Sequence, residues 1–93
     1  MTKFEAGSLL FTRGINDLVA DSTDFAKFVT TSLKRHLAGD WGELSEEDKA
    51  ENEFSLGKQL RLFSAYEKDH LPKIWIITEA DRSATTVLFP SEY

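Results

Sequence analysis

The two histidines are the side chains with the clearest capacity for proton transfer or metal binding. His36 and His70 are the only two histidines in the chain, and histidine is the side chain whose ordinary pKa lies near neutral pH. Asp40 follows His36 by four residues, a helical spacing that would suit a small metal-dependent hydrolase. Gly39 lies between them and favours a helix end, which indicates instead a hydrogen-bonded histidine at the edge of the core. His70 falls in a turn segment, where we expect it to be exposed.

Most other catalytic and cofactor chemistries lack the residues that they need. The chain has no cysteine, which excludes disulfides, thiolate zinc sites and cysteine nucleophiles. Its five glycines are scattered, and the sequence contains no phosphate-binding loop, dinucleotide fingerprint, His-Glu-x-x-His pair or Gly-x-Ser-x-Gly elbow. We therefore predict no catalytic residue, no metal ligand and no cofactor.

The negative charge is concentrated in one segment. The chain has 11 basic and 16 acidic residues and a net charge of −5, yet residues 40–53 hold seven carboxylates against one lysine, a net −6. Direct binding to a nucleic-acid backbone is therefore not expected. The segment is either a solvated helix face or an acidic surface that docks on another protein, such as a basic surface that normally holds nucleic acid. The predicted contact residues in this segment are Asp40, Glu43, Glu46, Glu47 and Glu51.

Three further residues are candidates for the same surface. Trp41, between Asp40 and Gly42, either plugs the gap between helices and sheet or stands exposed as an apolar anchor. Arg13 and Arg82 lie in predicted loops, where an arginine either contacts a partner or caps carbonyls and pairs with local carboxylates.

Hydrophobic spacing predicts the elements that position these residues in the first half of the chain. Residues 8–12 form a short apolar run typical of a strand, and residues 15–17 are typical of a turn. A long amphipathic helix should begin at a cap on Ser22 or Thr23 and end near Gly39.

The second half predicts one more helix and then a sheet. An acidic helix with a narrow buried stripe spans residues 45–56. Alternation over residues 59–66 and the apolar runs at 74–77 and 85–89 predict three strands joined by short turns. Trp75 should belong to an inner strand that is buried on both faces.

Together these elements predict a single domain over residues 1–93 with a two-layer α+β fold. The predicted order is β-α-α-β-β-β: an antiparallel sheet of about four strands, one long amphipathic helix packed on it and a second, acidic helix. No apolar run reaches the roughly 18–20 residues of a membrane helix, and no apolar signal core follows the N-terminus. We therefore expect no membrane association and a cytoplasmic location.

Three stretches of the sequence resemble a known group of proteins. They are TRGIN at residues 12–16, RHLAGDWG at residues 35–42 and IWIITEADRS at residues 74–83. They are similar to short, uncharacterised bacterial proteins labelled plasmid-related, which occur on plasmids, prophages and conjugative elements. The resemblance spans nearly the whole chain and implies a bacterial cytosolic protein from mobile DNA. It implies no activity and no catalytic residue.

The sequence leaves three functional hypotheses of different kinds. The leading one is a non-enzymatic interaction module that binds a protein partner through its acidic segment, for example to inhibit a host nucleic-acid-handling or defence complex. The second is a metal-dependent hydrolase that uses His36 and Asp40. The third is a structural homodimer that pairs an exposed sheet edge.

Overall fold

The fold is described by a computed structural model that covers residues 2–93. The elements are, in chain order, β1 (Ser8–Phe11), α1 (Arg13–Asp21), α2 (Thr23–Leu37), α3 (Glu46–Lys58), β2 (Leu62–Lys68), β3 (Leu71–Thr78) and β4 (Ala84–Leu88). A short 3-10 helix, Pro90–Glu92, follows β4. The predicted α+β class and the predicted acidic helix are confirmed, and the order gains one helix that the sequence pattern did not predict.

The four strands form one mixed sheet in the order β1-β4-β3-β2. The last three strands form the predicted antiparallel meander, although β2 begins later than expected. β1 pairs with β4 in parallel, with Ser8 opposite Ala84 and Phe11 opposite Val87. The prediction of a wholly antiparallel sheet is therefore wrong at β1. The sheet's two edges are β1 and β2, on opposite sides of the molecule.

The helix α2 begins and ends where its sequence signals predict. The Ser22 hydroxyl accepts a hydrogen bond of 3.1 Å from the Phe25 backbone N–H, which satisfies one of the free donors at the helix start. Gly39 has a φ of +82°, the left-handed conformation that ends a helix without a side-chain penalty. The loop that follows is thereby turned back toward the sheet.

The helix α1 replaces the turn that was predicted at residues 15–17. Ile15 is fully buried in the core, and Leu18 and Val19 pack against the same cluster. Burial of this apolar side therefore outweighs the local turn propensity of glycine, asparagine and aspartate in the same stretch.

The core lies between one face of the sheet and helices α1 and α2. Side chains alternate along each strand, so every second residue points toward these helices. The buried cluster consists of Ile15, Phe25, Phe28, Val29, Tyr66, Ile74, Ile76 and Val87.

Trp75 lies on the other face of the sheet, opposite to the face that packs against helices α1 and α2. It is half-buried, and its ring makes edge-on contacts with Phe63 at 5.1 Å and with Tyr93 at 5.7 Å between centroids. The expectation that this strand is buried on both faces is wrong at Trp75. Phe63 and Tyr93 pack against Trp75 on this face, where Ile77 and Leu88 are also buried.

Candidate protein-interaction surface

The helix α3 is fixed to the outer edge of β2 by one buried asparagine. The Asn52 side-chain amide donates to the Phe63 carbonyl, and its oxygen accepts from the Phe63 N–H at 3.1 Å. Asn52 is only 4% exposed, so this pair of bonds is shielded from water. A side-chain amide thus takes the place of a neighbouring strand, and it holds α3 in one position against the sheet.

The loop between α2 and α3 closes the rest of the β2 edge. The Glu43 N–H donates to the Ala65 carbonyl at 2.8 Å, and the Ala65 N–H donates to the Trp41 carbonyl at 3.4 Å. The Glu43 carboxylate accepts from the Glu67 N–H at 3.1 Å. Trp41 and Glu43, two of the predicted contact residues, therefore have structural roles at this edge. One oxygen of the Glu43 carboxylate is used in the bond to Glu67.

Trp41 is a core plug and not an exposed anchor. It is 3% exposed, and its indole N–H donates to the Glu53 carboxylate at 2.7 Å. Its ring packs against Phe4 and against the edge of the His36 ring, with centroids 5.6 Å apart in the second pair. The prediction of Trp41 as a partner contact is therefore wrong, since the side chain presents no surface to a partner.

Arg82 caps carbonyl groups, which the sequence left open as the alternative to a partner contact. Its guanidinium donates to the carbonyls of Leu60 at 2.7 Å and of Glu79 at 3.1 Å. It also reaches the Ser55 carbonyl near the end of α3, at 3.4 Å. The prediction of Arg82 as a partner contact is therefore replaced by a local role: it ties the turn before β4 to the end of α3.

Asp40 is engaged in a bidentate ion pair. Its two carboxylate oxygens accept from the Arg35 guanidinium at 2.7 and 3.1 Å. This hydrogen bonding lowers the pKa of Asp40 below its usual range, and it raises that of Arg35. Because the Asp40 side chain remains about half exposed, the pair is worth little in stability, and its net charge is close to zero.

The remaining predicted acidic residues lie together on the solvent side of α3. Glu46, Glu47 and Glu51 are all exposed, and Ser45 caps the helix by accepting from the Asp48 N–H at 3.1 Å. Three acidic residues in the first turn suit the positive end of the helix dipole. Glu46 also lies 3.8 Å from the Lys49 ammonium, a weak surface ion pair, so the free negative charge on the outer side of α3 lies mainly at Glu47 and Glu51.

An exposed aromatic ring lies in the middle of this acidic side. Phe54 is 58% exposed, and it borders a shallow depression on the helix surface. The depression is lined by Glu47, Asp48, Ala50, Glu51 and Phe54. We call these five residues, together with the neighbouring exposed Glu46, the α3 surface. Phe54 was not among the predicted contact residues, although its spacing of three from Glu51 and seven from Glu47 places it on their helix stripe.

Arg13 does not belong to the α3 surface. Its side chain is 94% exposed at the start of α1, and it forms an ion pair with Asp17 that spans 3.9 Å. α1 follows β1, which is the sheet edge opposite to the one that carries α3. The structure therefore separates Arg13 from the acidic residues with which it was grouped.

His36 is buried, and both of its ring nitrogens are hydrogen-bonded. Nδ1 lies 2.5 Å from the Ser64 hydroxyl and Nε2 lies 2.9 Å from the Thr78 hydroxyl. Burial lowers the pKa of His36 to about 3.

Because Asp40 is bound to Arg35, His36 and Asp40, the two residues of the hydrolase hypothesis, do not meet in a common site. Within residues 2–93, no cluster of three or more histidine, aspartate or glutamate side chains is arranged to hold a metal ion.

Comparison of the chain with protein-family models, with curated protein sequences and with solved structures finds no match. In the part of the chain that the structure describes, none of the helices has both the length and the apolar character needed to cross a membrane.

Proposed function

We propose that this chain is a small non-enzymatic interaction module that docks on a basic protein through the α3 surface. The observation that carries the proposal is the exposed Phe54 ring set beside Glu47 and Glu51 on a helix whose other side is fixed to the sheet. An apolar anchor ringed by charge is the composition that protein interfaces use, with the ring supplying affinity and the carboxylates orienting the approach.

The fixed position of α3 supports this function energetically. The buried Asn52 bonds and the bond between Trp41 and Glu53 hold the helix before any partner arrives. A partner therefore does not have to order the helix on binding, which is a cost that flexible acidic segments bear. The acidic residues extend over less than two helical turns, so their field is concentrated on one side of the molecule.

The chemistry of the surface defines the class of partner. The α3 surface has exposed carboxylates at Glu47, Asp48 and Glu51, so a complementary surface is rich in arginine or lysine. Surfaces that normally hold nucleic acid have this composition. On this proposal the chain acts in the bacterial cytoplasm, in the mobile-DNA setting implied by the sequence resemblance, and competes with nucleic acid for a host protein.

A matched pair of charge-reversal variants tests the proposal. The first variant carries Glu46→Lys, Glu47→Lys and Glu51→Lys, and the control carries Asp17→Lys, Asp21→Lys and Glu67→Lys, which are also exposed. Both variants have the same net charge, because each reverses three carboxylates. The immobilised proteins are incubated with the heparin-binding fraction of a bacterial lysate at low and moderate salt.

The proposal predicts that the wild-type chain and the control retain the same proteins and that the α3 variant loses them. Retention should also fall with Phe54→Ser, which leaves the charge unchanged, and should persist with Leu60→Ser, a change at another exposed apolar residue. Equal retention by all variants, or no retained protein at either salt, would contradict the proposal.

A further inference from the structure

The strand β1 is an apolar sheet edge without a partner in residues 2–93. Leu9, Leu10 and Phe11 are 55%, 49% and 39% exposed. Natural edge strands are usually protected by a charged side chain, a proline or a covering segment. Residues 6–12 contain no charged residue and no proline. The opposite edge of the same sheet, at β2, is closed by the Asn52 side chain and by the loop that contains Glu43. The sheet therefore has one covered edge and one exposed edge.

The backbone of β1 has hydrogen-bonding groups that point outward. The Ser8 N–H donates to the Ser83 carbonyl and the Thr12 N–H donates to the Val87 carbonyl, which directs residues 8, 10 and 12 toward β4. In a parallel pair the intervening residues then direct their N–H and C=O groups away from the neighbouring strand. The free groups of this edge therefore belong to Leu9 and Phe11.

We propose that two copies of this chain pair antiparallel through β1 and form one continuous sheet across a twofold axis. The spacing of the free groups supports a single register, in which Leu9 of one copy lies opposite Phe11 of the second copy. Each of the two Leu9–Phe11 pairs exchanges both of its N–H···O bonds, so every outward group of this strand is satisfied. Leu10 then faces Leu10 of the second copy across the axis.

The side chains suit this register as well as the backbone does. Leu9 and Phe11 alternate with Leu10, so the first two face the helix side of the sheet and the third faces its open side. Across the axis each apolar side chain meets another apolar side chain, a combination that stabilises paired strands. An arbitrary partner strand would need this pattern by coincidence, whereas a second copy supplies it by symmetry.

The charges also favour a second copy in this orientation. Arg13 follows β1 and Glu5 precedes it, and both side chains are exposed. Antiparallel pairing therefore brings Arg13 of one copy toward Glu5 of the second copy. The acidic helices α3 lie beyond β2, at the two outer ends of the combined sheet, where their mutual repulsion is smallest. The proposed contact therefore leaves the α3 surface of both copies free.

Sedimentation velocity of the full-length chain over a wide range of concentration tests the pairing. Because four residues a side form a small interface, we expect a reversible dimer whose fraction rises with concentration. Leu10→Lys should shift the chain to a monomer, whereas Leu60→Lys, at a similarly exposed leucine of 46%, should leave the dimer unchanged. Leu9→Pro should act like Leu10→Lys, since it removes only an outward N–H.

Two further measurements locate the contact. The native chain has no cysteine, so oxidation of a Leu10→Cys variant should give a disulfide-linked dimer, whereas a Leu60→Cys variant should not. Hydrogen exchange of the Leu9 and Phe11 amides should slow as concentration rises. A strictly monomeric mass at every concentration would overturn the proposal, as would a dimer that Leu10→Lys and Leu9→Pro leave intact. Because the α3 surface lies at the other edge, retention of a basic partner by the Leu10→Lys variant is a separate outcome.

Discussion

His36 donates its Nε2 proton to the hydroxyl of Thr78, at 2.9 Å. The direction of this hydrogen bond is fixed by a buried chain that runs from Thr78 through the Thr85 hydroxyl to the Ala6 carbonyl. The Thr85 hydroxyl donates to the Ala6 carbonyl at 2.8 Å, and a carbonyl can only accept. Since each hydroxyl has one proton, Thr78 must donate to Thr85 across their 2.7 Å contact. Thr78 is then left to accept from His36, and Nδ1 of the neutral ring accepts from Ser64.

The first prediction is the tautomer of this histidine. At neutral pH, His36 should be the Nε2–H tautomer, which nitrogen chemical shifts of the imidazole distinguish directly. Thr85→Val removes the anchoring donor and leaves the Ala6 carbonyl unpaired, so it should reduce the free energy of unfolding by about 1–3 kcal/mol. Thr86→Val, on the other face of the same strand, is the control and should change stability little. An Nδ1–H tautomer would contradict the derived direction of the chain.

The second prediction is a loss of stability in mild acid. The pKa of His36 is about 3 in the folded protein and about 6.5 in an unfolded chain, so between these values only the unfolded state binds the proton. Stability should therefore be constant above pH 6.5 and fall by about 2 kcal/mol between pH 6.5 and 5. Urea unfolding at a series of pH values measures this slope.

A pair of histidine variants assigns the slope to its source. His36→Gln keeps a donor and an acceptor in the buried chain but does not titrate, so its stability should depend much less on pH in this range. His70→Asn changes the histidine of an exposed turn with a φ of +68°, which asparagine also adopts, and it should keep the wild-type slope. The same slope in His36→Gln as in the wild type would refute the assignment.

The sequence predicts elements whose determinants are local. The sequence predicts helix α2 with its cap at Ser22 or Thr23 and its end near Gly39, because the periodicity and both termini lie in one short stretch, and the structure places the cap at Ser22. The turn expected at residues 15–17 proved to be helix α1, since burial of Ile15 depends on strands far along the chain. The parallel pairing of β1 with β4 also escaped prediction, because it joins residues more than 70 positions apart.

The candidate site was predicted in part for the same reason. Charge is a property of single residues, so the exposed Glu46, Glu47 and Glu51 were found from the sequence. Whether an aromatic ring in a charged stretch is buried depends on tertiary packing. Trp41 fills the gap beside His36, whereas Phe54 is exposed, and the sequence indicated neither outcome uniquely.

The third prediction concerns two glycines with opposite responses to the same change. Gly42 has a φ of +75°, and an added Cβ would overlap with the Ala65 carbonyl oxygen. Gly42→Ala should therefore separate the loop between α2 and α3 from β2, and it should destabilise the fold by more than ~1 kcal/mol. Gly57 lies inside α3 with open space around it, so Gly57→Ala should stabilise by about 0.5–1 kcal/mol. Thermal unfolding of the two variants measures both signs, and equal shifts in one direction would contradict this account.

The fourth prediction concerns the attachment of α3 to the sheet. Asn52→Ala leaves the N–H and C=O of Phe63 without their partner, so it should cost about 1–3 kcal/mol and accelerate hydrogen exchange at the Phe63 amide. Glu51→Ala, at the adjacent exposed position, should leave that amide protected and the stability nearly unchanged.

The same two variants separate position from charge in the proposed binding. Asn52→Ala retains every carboxylate, yet it should weaken retention of a basic partner because the helix is no longer held in place. Glu51→Ala keeps the position of α3 but removes one charge, so its effect should diminish as salt rises. If Asn52→Ala exposed the Phe63 amide and still bound as tightly as the wild type, the fixed position of α3 would have no part in binding, and charge with Phe54 alone would account for it.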